Sequence, residues 1–256
     1  AKFGAARLLE KEFRKPKYIP HTIAMSGVTD IYQPVERRLH ITRRLLEVFE
    51  AYHHPVALIT KNALICRDLD ILARLAEKNL VRAYISITTL DGNLARRMEP
   101  RASTPTARLA ALKALSEAGV ETGVMLAPQI PFINDHEVEA ILEAAAGAGA
   151  RSAGYITLRL PWALKELFHD WLRRHFPDRE EKVFAQIRAM HDGKEYDAEF
   201  FSRMRGTGKY AEMLGQRFHI TAKKLGLLKE RSPMTTELFS RPPEPIYGDE
   251  SQLRLF

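Results

Sequence analysis

Cysteine is nearly missing from this sequence: Cys66 is the one thiol in 256 residues. That excludes a disulfide framework and any metal site built from several cysteines within these residues, and it fits a reducing cytoplasm. Long apolar runs are missing as well. Charge interrupts each run well short of the roughly 20 apolar residues that cross a membrane as a helix, so no membrane partner is expected. The opening residues lack the basic-then-apolar pattern of a secretory signal. Histidines at metal-site spacing are also wanting. His136 has no second histidine one turn on, which leaves His136-Glu137 as a helix start, and His53, His54, His169 and His175 lack convergent partners. Gly206-Thr207-Gly208 is too short to be a phosphate loop.

What is present suits a globular α/β protein. Hydrophobic residues make up 45% of the chain, enough for a sizeable core. Lys and Arg number 39 against 32 Asp and Glu, a net +7 that favours polyanions without requiring them. The basic excess is densest from Arg203 to Lys224, where Arg203, Arg205, Lys209, Arg217, Lys223 and Lys224 face only Glu212, with Tyr210 and Phe218 interleaved. Such a segment either tracks a phosphate backbone or is a solvated helix face with two core aromatics.

Short β-branched runs alternate with amphipathic stretches. Strands are expected at Ile23 to Ser26, Val56 to Thr60, Ala83 to Thr89, Glu121 to Ala127 and Tyr155 to Leu160. Helices are expected at Ala5 to Lys15, Val35 to Tyr52, Leu69 to Leu80 with Asp68 as cap, and from Ser103 or Thr104 to Gly119. Asn134 with Glu137 three residues on reads as a capping box for the next one. Strands spaced by helices argue for βαβ units and a parallel sheet. After Pro161 only helical patterns follow, and residues 226–256 read as an extended tail. The expected organisation is a barrel over 1–160, a helical extension over 161–225 and a tail over 226–256.

Polar groups gather where successive strands finish. In a parallel α/β barrel those ends share one face, where active sites form. The stretch IAMSGVTDIYQPVE (23–36) delivers Thr29, Asp30 and Tyr32, a carboxylate beside hydroxyls that suits the ammonium of an amino acid or, alternatively, an Asx-type turn. Lys61 directly follows a strand, where it meets an anion, forms a Schiff base, or is merely solvated. Ser86 is a ligand contact or a packing choice. Glu99-Pro100-Arg101 reads as a turn carrying a surface ion pair.

Several segments in order carry a resemblance: SGVTDIYQPVERR (26–38), ITRRLLEV (41–48), ITKNALICRDLDIL (59–72), SITTLD (86–91), RRMEPRASTPTARL (96–109), VMLAPQIP (124–131) and ITLRLP (156–161). Together they resemble the radical SAM superfamily, and more narrowly its branch related to spore photoproduct lyase. The resemblance implies a partial (β/α)6 TIM-like barrel holding a [4Fe-4S] cluster with S-adenosylmethionine on its unique iron. Reductive cleavage there would yield a 5'-deoxyadenosyl radical, with a reducing electron donor as partner. By position, Thr29 and Asp30 match the family's contacts to the methionyl amino group, and Lys61 and Ser86 its contacts to the carboxylate or ribose. Arg101 and Arg108 match its basic residues after the third strand, and Ala127 and Leu158 the flanks of the adenine. Substrate would face the barrel mouth near Tyr32 and Arg159.

Three thiolates in a CxxxCxxC loop hold the family's cluster, and this sequence has no such loop. Cys66 precedes a helix where the family has an aliphatic residue and reads as a small hydrophobe. Five strands are also one short of a small barrel, and the first residue is alanine. The joint expectation is that the first strand and its cluster loop lie upstream of Ala1, so that no metal ligand is among these residues and the chain alone is inactive. The substrate stays open, with nucleic acid among the candidates. Three alternatives stand beside this reading: a DNA-lesion lyase of the spore photoproduct lyase type, a cluster-free aldolase-type barrel using Lys61 as Schiff-base nucleophile, and a non-enzymatic nucleic-acid-binding protein.

Overall fold

The structure is a computed structural model that describes residues 2–26, 29–195, 204–230 and 232–247. Helix α1 (Ala5–Phe13) leads into β1 (Ile23–Met25), then α2 (Glu36–Leu39), α3 (Ile41–Ala51) and β2 (Val56–Thr60). A 3-10 turn over Ala63–Asp68 opens α4 (Leu69–Glu77), followed by β3 (Val81–Ser86), α5 (Gly92–Met98), α6 (Pro105–Glu117) and β4 (Glu121–Gln129). Next come α7 (Val138–Gly147) and β5 (Ser152–Thr157), and then α8 (Leu164–His175), α9 (Glu180–Met190) and α10 (Gly208–Lys224).

One helix ending recurs among the described residues. Residues His53, Asn79, Gly119, Gly149 and Gly226 take the left-handed backbone conformation, and each next amide bonds the carbonyl five residues back, as Leu80 does to Leu75 and Val120 to Leu115. Glycine adopts that conformation without a steric penalty, and asparagine and histidine tolerate it better than most. The chain thus reverses the same way after α3, α4, α6, α7 and α10.

The five strands pair in parallel in sequence order, β1-β2-β3-β4-β5, with Val56 beside Ile23 and Val81, and Glu121 beside Arg82. Their two faces differ. On β2 and β3, Val56, Leu58, Thr60, Val81, Ala83 and Ile85 are buried against helices, while the alternate residues Ala57, Ile59, Arg82 and Tyr84 are half-exposed on the other face. The buried set anchors one core with Leu46, Phe49, Leu72, Leu112 and Leu142, each aliphatic or aromatic side chain contributing about 1.5–3 kcal/mol. The half-open face ends above at Lys61, Ser86 and Ala127, and below at an Arg82–Glu121 ion pair (2.8 Å).

The sheet is open among the described residues, with β1 and β5 as its edges. The outer edge of β5 is bonded by chain from beyond α9 and α10, through Ala153 N to the Leu227 carbonyl (3.3 Å) and Thr157 N to the Met204 carbonyl (2.9 Å). Residues 232–247 form no helix or strand and run beneath the sheet. Asn79 Nδ2 donates to the Pro233 carbonyl (3.1 Å), Phe239 enters a ring cluster with Phe13, Tyr18, Tyr52 and His54, and the buried Glu10 carboxylate accepts from the amides of Ile246 (2.8 Å) and Tyr247 (2.9 Å).

Four local expectations are corrected. The helix expected over 35–52 breaks at His40, whose φ of 51° cannot continue a right-handed helix. The stretch after Asp91 contains α5, capped by the Asp91 carboxylate on the Asn93 amide (2.7 Å). Asp68 caps nothing with its side chain. Asn134 makes no capping box either: its amide side chain accepts from Ile130 N (2.7 Å) and donates to the carbonyls of Thr88 (2.7 Å) and Pro128 (2.9 Å), tying the ends of β3 and β4.

Candidate active site

The loop after β1 reaches back to the end of β2 through one side chain. The Asp30 carboxylate accepts from the Tyr32 amide (2.8 Å) and the Thr60 hydroxyl (2.7 Å) on one oxygen, and from the Lys61 amide (2.7 Å) on the other. The Asx-type turn is real, and it also fixes where Lys61 leaves the strand. Thr29 sits at the exposed rim and accepts a hydrogen bond from Gln33.

The Lys61 ammonium is ion-paired with Glu99, which comes from the loop after α5. Glu99 was expected on the surface beside Arg101. Instead its side chain is 12% exposed and accepts from Lys61, from the Thr88 hydroxyl (3.0 and 3.1 Å) and from Arg108 (2.6 Å), while Arg101 is exposed. Arg108 is 2% exposed. Its remaining N–H groups donate to the carbonyls of Ser103 (2.8 Å) and Ser86 (3.0 Å), tying the end of β3 to the loop before α6, whose Ser103 amide in turn bonds the Lys61 carbonyl (3.1 Å). Burial pushes the Glu99 carboxyl up, and the nearby Lys61 and Arg108 outweigh that, holding it below the ordinary carboxylate range. A signal for this network was available: Arg108 shares a helical stripe with Ala111, Leu112 and Leu115, all buried, and a cation on such a stripe needs a buried carboxylate.

Between these groups lies a cleft of about 510 Å³ lined by Asp30, Tyr32, Lys61, Asn62, Glu99 and Arg101, with Gln33, Pro34, Pro100 and Ala102. Tyr32 was expected to face the barrel mouth. Only its body contributes to the cleft wall, because the residue is buried and its hydroxyl donates to Asp68 (3.1 Å), whose carboxylate also takes Arg67 (2.8 and 2.9 Å) and Arg43 (3.2 Å). Burial first, and then Asp68, raise that phenol well above its usual range. On the far side of the sheet end, Leu158 N bonds the Gln129 carbonyl (2.9 Å), and the buried Arg159 Nε has no partner. Ala127 and Leu158 do not line the Asp30–Lys61 cleft, although the Ala127 carbonyl accepts from the Thr88 hydroxyl (3.5 Å) that also serves Glu99.

In the basic segment from 203 onward Lys209, Lys223 and Lys224 are exposed, while Arg217 and the aromatics are committed within the chain, Arg203 itself lying outside the described residues. Arg217 forks onto Glu139 (2.8 and 2.6 Å), Tyr210 donates to Asp135, and Phe218 packs on Tyr155 with ring centroids 4.7 Å apart. Phe218 is a core residue, and Tyr210 is half-buried.

A family model described as the radical SAM superfamily matches residues 6–145, more than half of the chain. The chain belongs to the radical SAM superfamily. Its members are enzymes. An uncharacterised protein of Mycobacterium tuberculosis is 32% identical over 179 residues, covering 69% of this chain and 53% of the relative. An uncharacterised protein of Methanocaldococcus jannaschii is 31% identical over 123 residues, covering 48% of this chain and 46% of that protein. Among solved structures, spore photoproduct lyase matches with a TM-score of 0.55 at 17% identity, over 87% of this chain and 63% of the lyase chain. One such structure carries bound S-adenosylmethionine and dinucleoside spore photoproduct. At that identity the likeness speaks for the fold alone, and the radical SAM chain spans about half the length of the mycobacterial relative.

The superfamily implies S-adenosylmethionine and a [4Fe-4S] cluster. The residues of this sequence do not fit the cluster. Its one thiol, Cys66, is packed in the 3-10 turn against the core, where burial raises its pKa, and thiolate ligation needs the opposite. Among the described residues no three His, Cys, Asp or Glu side chains converge as metal ligands. The cleft does fit the amino-acid end of S-adenosylmethionine in its donor set, with a carboxylate from Asp30 and an ammonium from Lys61 on one wall. No helix of the described residues is long and apolar enough to cross a membrane.

Proposed function

We propose that the Asp30–Lys61 cleft holds the methionyl end of S-adenosylmethionine in a radical SAM enzyme whose substrate is unassigned. The observation that carries this reading is the convergence of Asp30 and Lys61, from two different strand ends, on one cleft. Held there beside a reduced cluster whose thiolates are not among these residues, S-adenosylmethionine would supply radical chemistry.

Asp30 accepts the methionyl ammonium on the oxygen that now takes only the Lys61 amide. Lys61 attracts the carboxylate, and Glu99 keeps its ammonium at the rim of the cleft while Arg108 offsets the negative charge of Glu99. Thr29 and Arg101 contribute from the exposed rim, and Ser86 from the end of β3. Ala127 and Leu158 flank the adenine, with Arg159 nearer the substrate. Tyr32 acts through shape rather than through its hydroxyl. A reducing electron donor completes the system. Equilibrium dialysis with labelled S-adenosylmethionine tests the reading: Asp30→Ala or Lys61→Ala should weaken binding at least about tenfold, the value of one charge-assisted contact. Unchanged affinity in both variants would sink it.

A second reading makes the substrate a lesion in nucleic acid, and the fold likeness to spore photoproduct lyase supports it. Preferential binding of a lesion-bearing oligonucleotide over its undamaged counterpart is its test. The Schiff-base alternative finds less support, since Lys61 is paired with a carboxylate rather than set among apolar groups or cations.

A further inference from the structure

Arginines of this chain commonly sit against carboxylates, as Arg43, Arg74, Arg174, Arg188 and Arg217 do. Arg97, Arg179 and Lys182 are different. All three are exposed, and none has a carboxylate within 4.0 Å among the described residues. Each is held against an aromatic ring instead. The guanidinium carbons of Arg97 and Arg179 lie 6.0 and 5.7 Å from the Phe176 centroid, and the Lys182 ammonium lies 4.1 Å from that of Phe132. Two hydrogen bonds fix the arrangement: Arg179 Nη1 donates to the Phe132 carbonyl (2.7 Å), and Trp171 Nε1 donates to the Arg97 carbonyl (3.0 Å). Trp171 and Phe176 are half-buried, 5.5 Å apart.

A cleft of about 470 Å³ opens between Arg97, Phe176 and Arg179. Two carboxylates also line it, and both are turned to the chain's own donors. Asp91 accepts from the Asn93 amide (2.7 Å), and Glu137 accepts from the Leu90 amide (2.7 Å) and the Thr89 hydroxyl. The three cations keep free N–H groups and outnumber these two carboxylates, and the half-buried Phe176 and Trp171 leave part of each ring open beside them, one face of Trp171 being stacked on Phe168 (5.6 Å). Free cationic donors suit phosphate oxygens, and half-open rings beside them suit an unpaired base.

We infer that the Arg97–Phe176–Arg179–Lys182 cluster is a binding surface for single-stranded nucleic acid, with the three cations on phosphates and a base against Phe176 and Trp171. A duplex keeps its base faces stacked and would leave the rings unused. The inference is independent of S-adenosylmethionine binding, so failure of either leaves the other standing.

Fluorescence anisotropy of the full chain with a labelled 12-nucleotide single strand of mixed sequence tests it. Three phosphate contacts give a log–log salt slope of about −2, so a fourfold rise in salt should weaken binding roughly 20-fold. The triple variant Arg97→Ala, Arg179→Ala, Lys182→Ala should bind about tenfold more weakly or worse, with its slope near zero. The variant Lys209→Ala, Lys223→Ala, Lys224→Ala, which removes the same charge from α10, should bind as the unaltered chain does. Equal affinity for the first variant, or an equal loss in the second, overturns the inference. So does tighter binding of the matching duplex. The chain has two tryptophans, so Trp162→Phe leaves Trp171 as the sole indole. Its emission should change on saturation with the oligonucleotide, and constant emission would contradict the placement.

Discussion

Two glutamates, Glu10 buried and Glu99 12% exposed, sit at opposite ends of the sheet and have opposite surroundings. Glu10, beneath the strands, accepts from the Tyr52 phenol (2.9 Å) and the amides of Ile246 and Tyr247, all donors fixed by the chain itself. Around it are rings, with His54 stacked on Phe13 at 4.3 Å. Glu99, above the strands, accepts from a hydroxyl and two cations, and one of those cations, Lys61, is 31% exposed at a cleft. A carboxylate saturated by backbone and phenol closes a structure. One held between cations leaves a charge pointing at solvent, where a ligand can use it.

The largest effect is expected from Glu99→Ala, which strands the Arg108 cation in the interior. It should lower unfolding free energy by about 3–5 kcal/mol in denaturant titration and also weaken S-adenosylmethionine binding. Glu10→Ala should cost about 2–3 kcal/mol by leaving two amides and a phenol unsatisfied, yet leave the affinity of the folded fraction unchanged. A loss of affinity from Glu10→Ala equal to that from Glu99→Ala would erase the distinction between the two ends.

Acid separates the ends further. Burial lowers His54 from 6.5 to about 4, so the folded chain resists protonation that the unfolded chain accepts. Stability should therefore fall as pH drops from 6.5 toward 4, by up to about 3 kcal/mol, and His54→Leu should flatten that window. The Glu99 carboxyl, held below its ordinary 4.5, contributes stability above that value and loses it as pH falls further. Glu99→Gln should remove the lower step and spare the upper one, read as thermal midpoint against pH. The smallest effect is expected at Arg101→Ala, an exposed rim cation, within about 0.5 kcal/mol of the unaltered stability.

Much of this was legible in the residues. Alternation of β-branched runs with helical stripes gave the parallel order, because each pattern is set by local burial and the crossovers follow from it. The strand-end groups Asp30 and Lys61 were legible for the same reason. Glu99 and Asn134 were not. Glu99-Pro100-Arg101 looks like any surface turn, and only the three-dimensional approach of Arg108 and Lys61 makes its carboxylate internal. Asn134 has the right spacing for a cap, but the carbonyls of Thr88 and Pro128 claim its amide. Tyr32 misled in the opposite sense, since a tyrosine in a polar stretch gives no sign that Asp68, far along the chain, will take its hydroxyl inward.

The central claim is that Lys61, held by Glu99, reads a carboxylate in the cleft. Its most direct measurement compares the affinities of S-adenosylmethionine and its decarboxylated analogue for the unaltered chain and for Lys61→Met. The account predicts that the unaltered chain prefers the carboxylate-bearing molecule by about tenfold or more, and that Lys61→Met binds the two alike. Equal preference in both chains would contradict it.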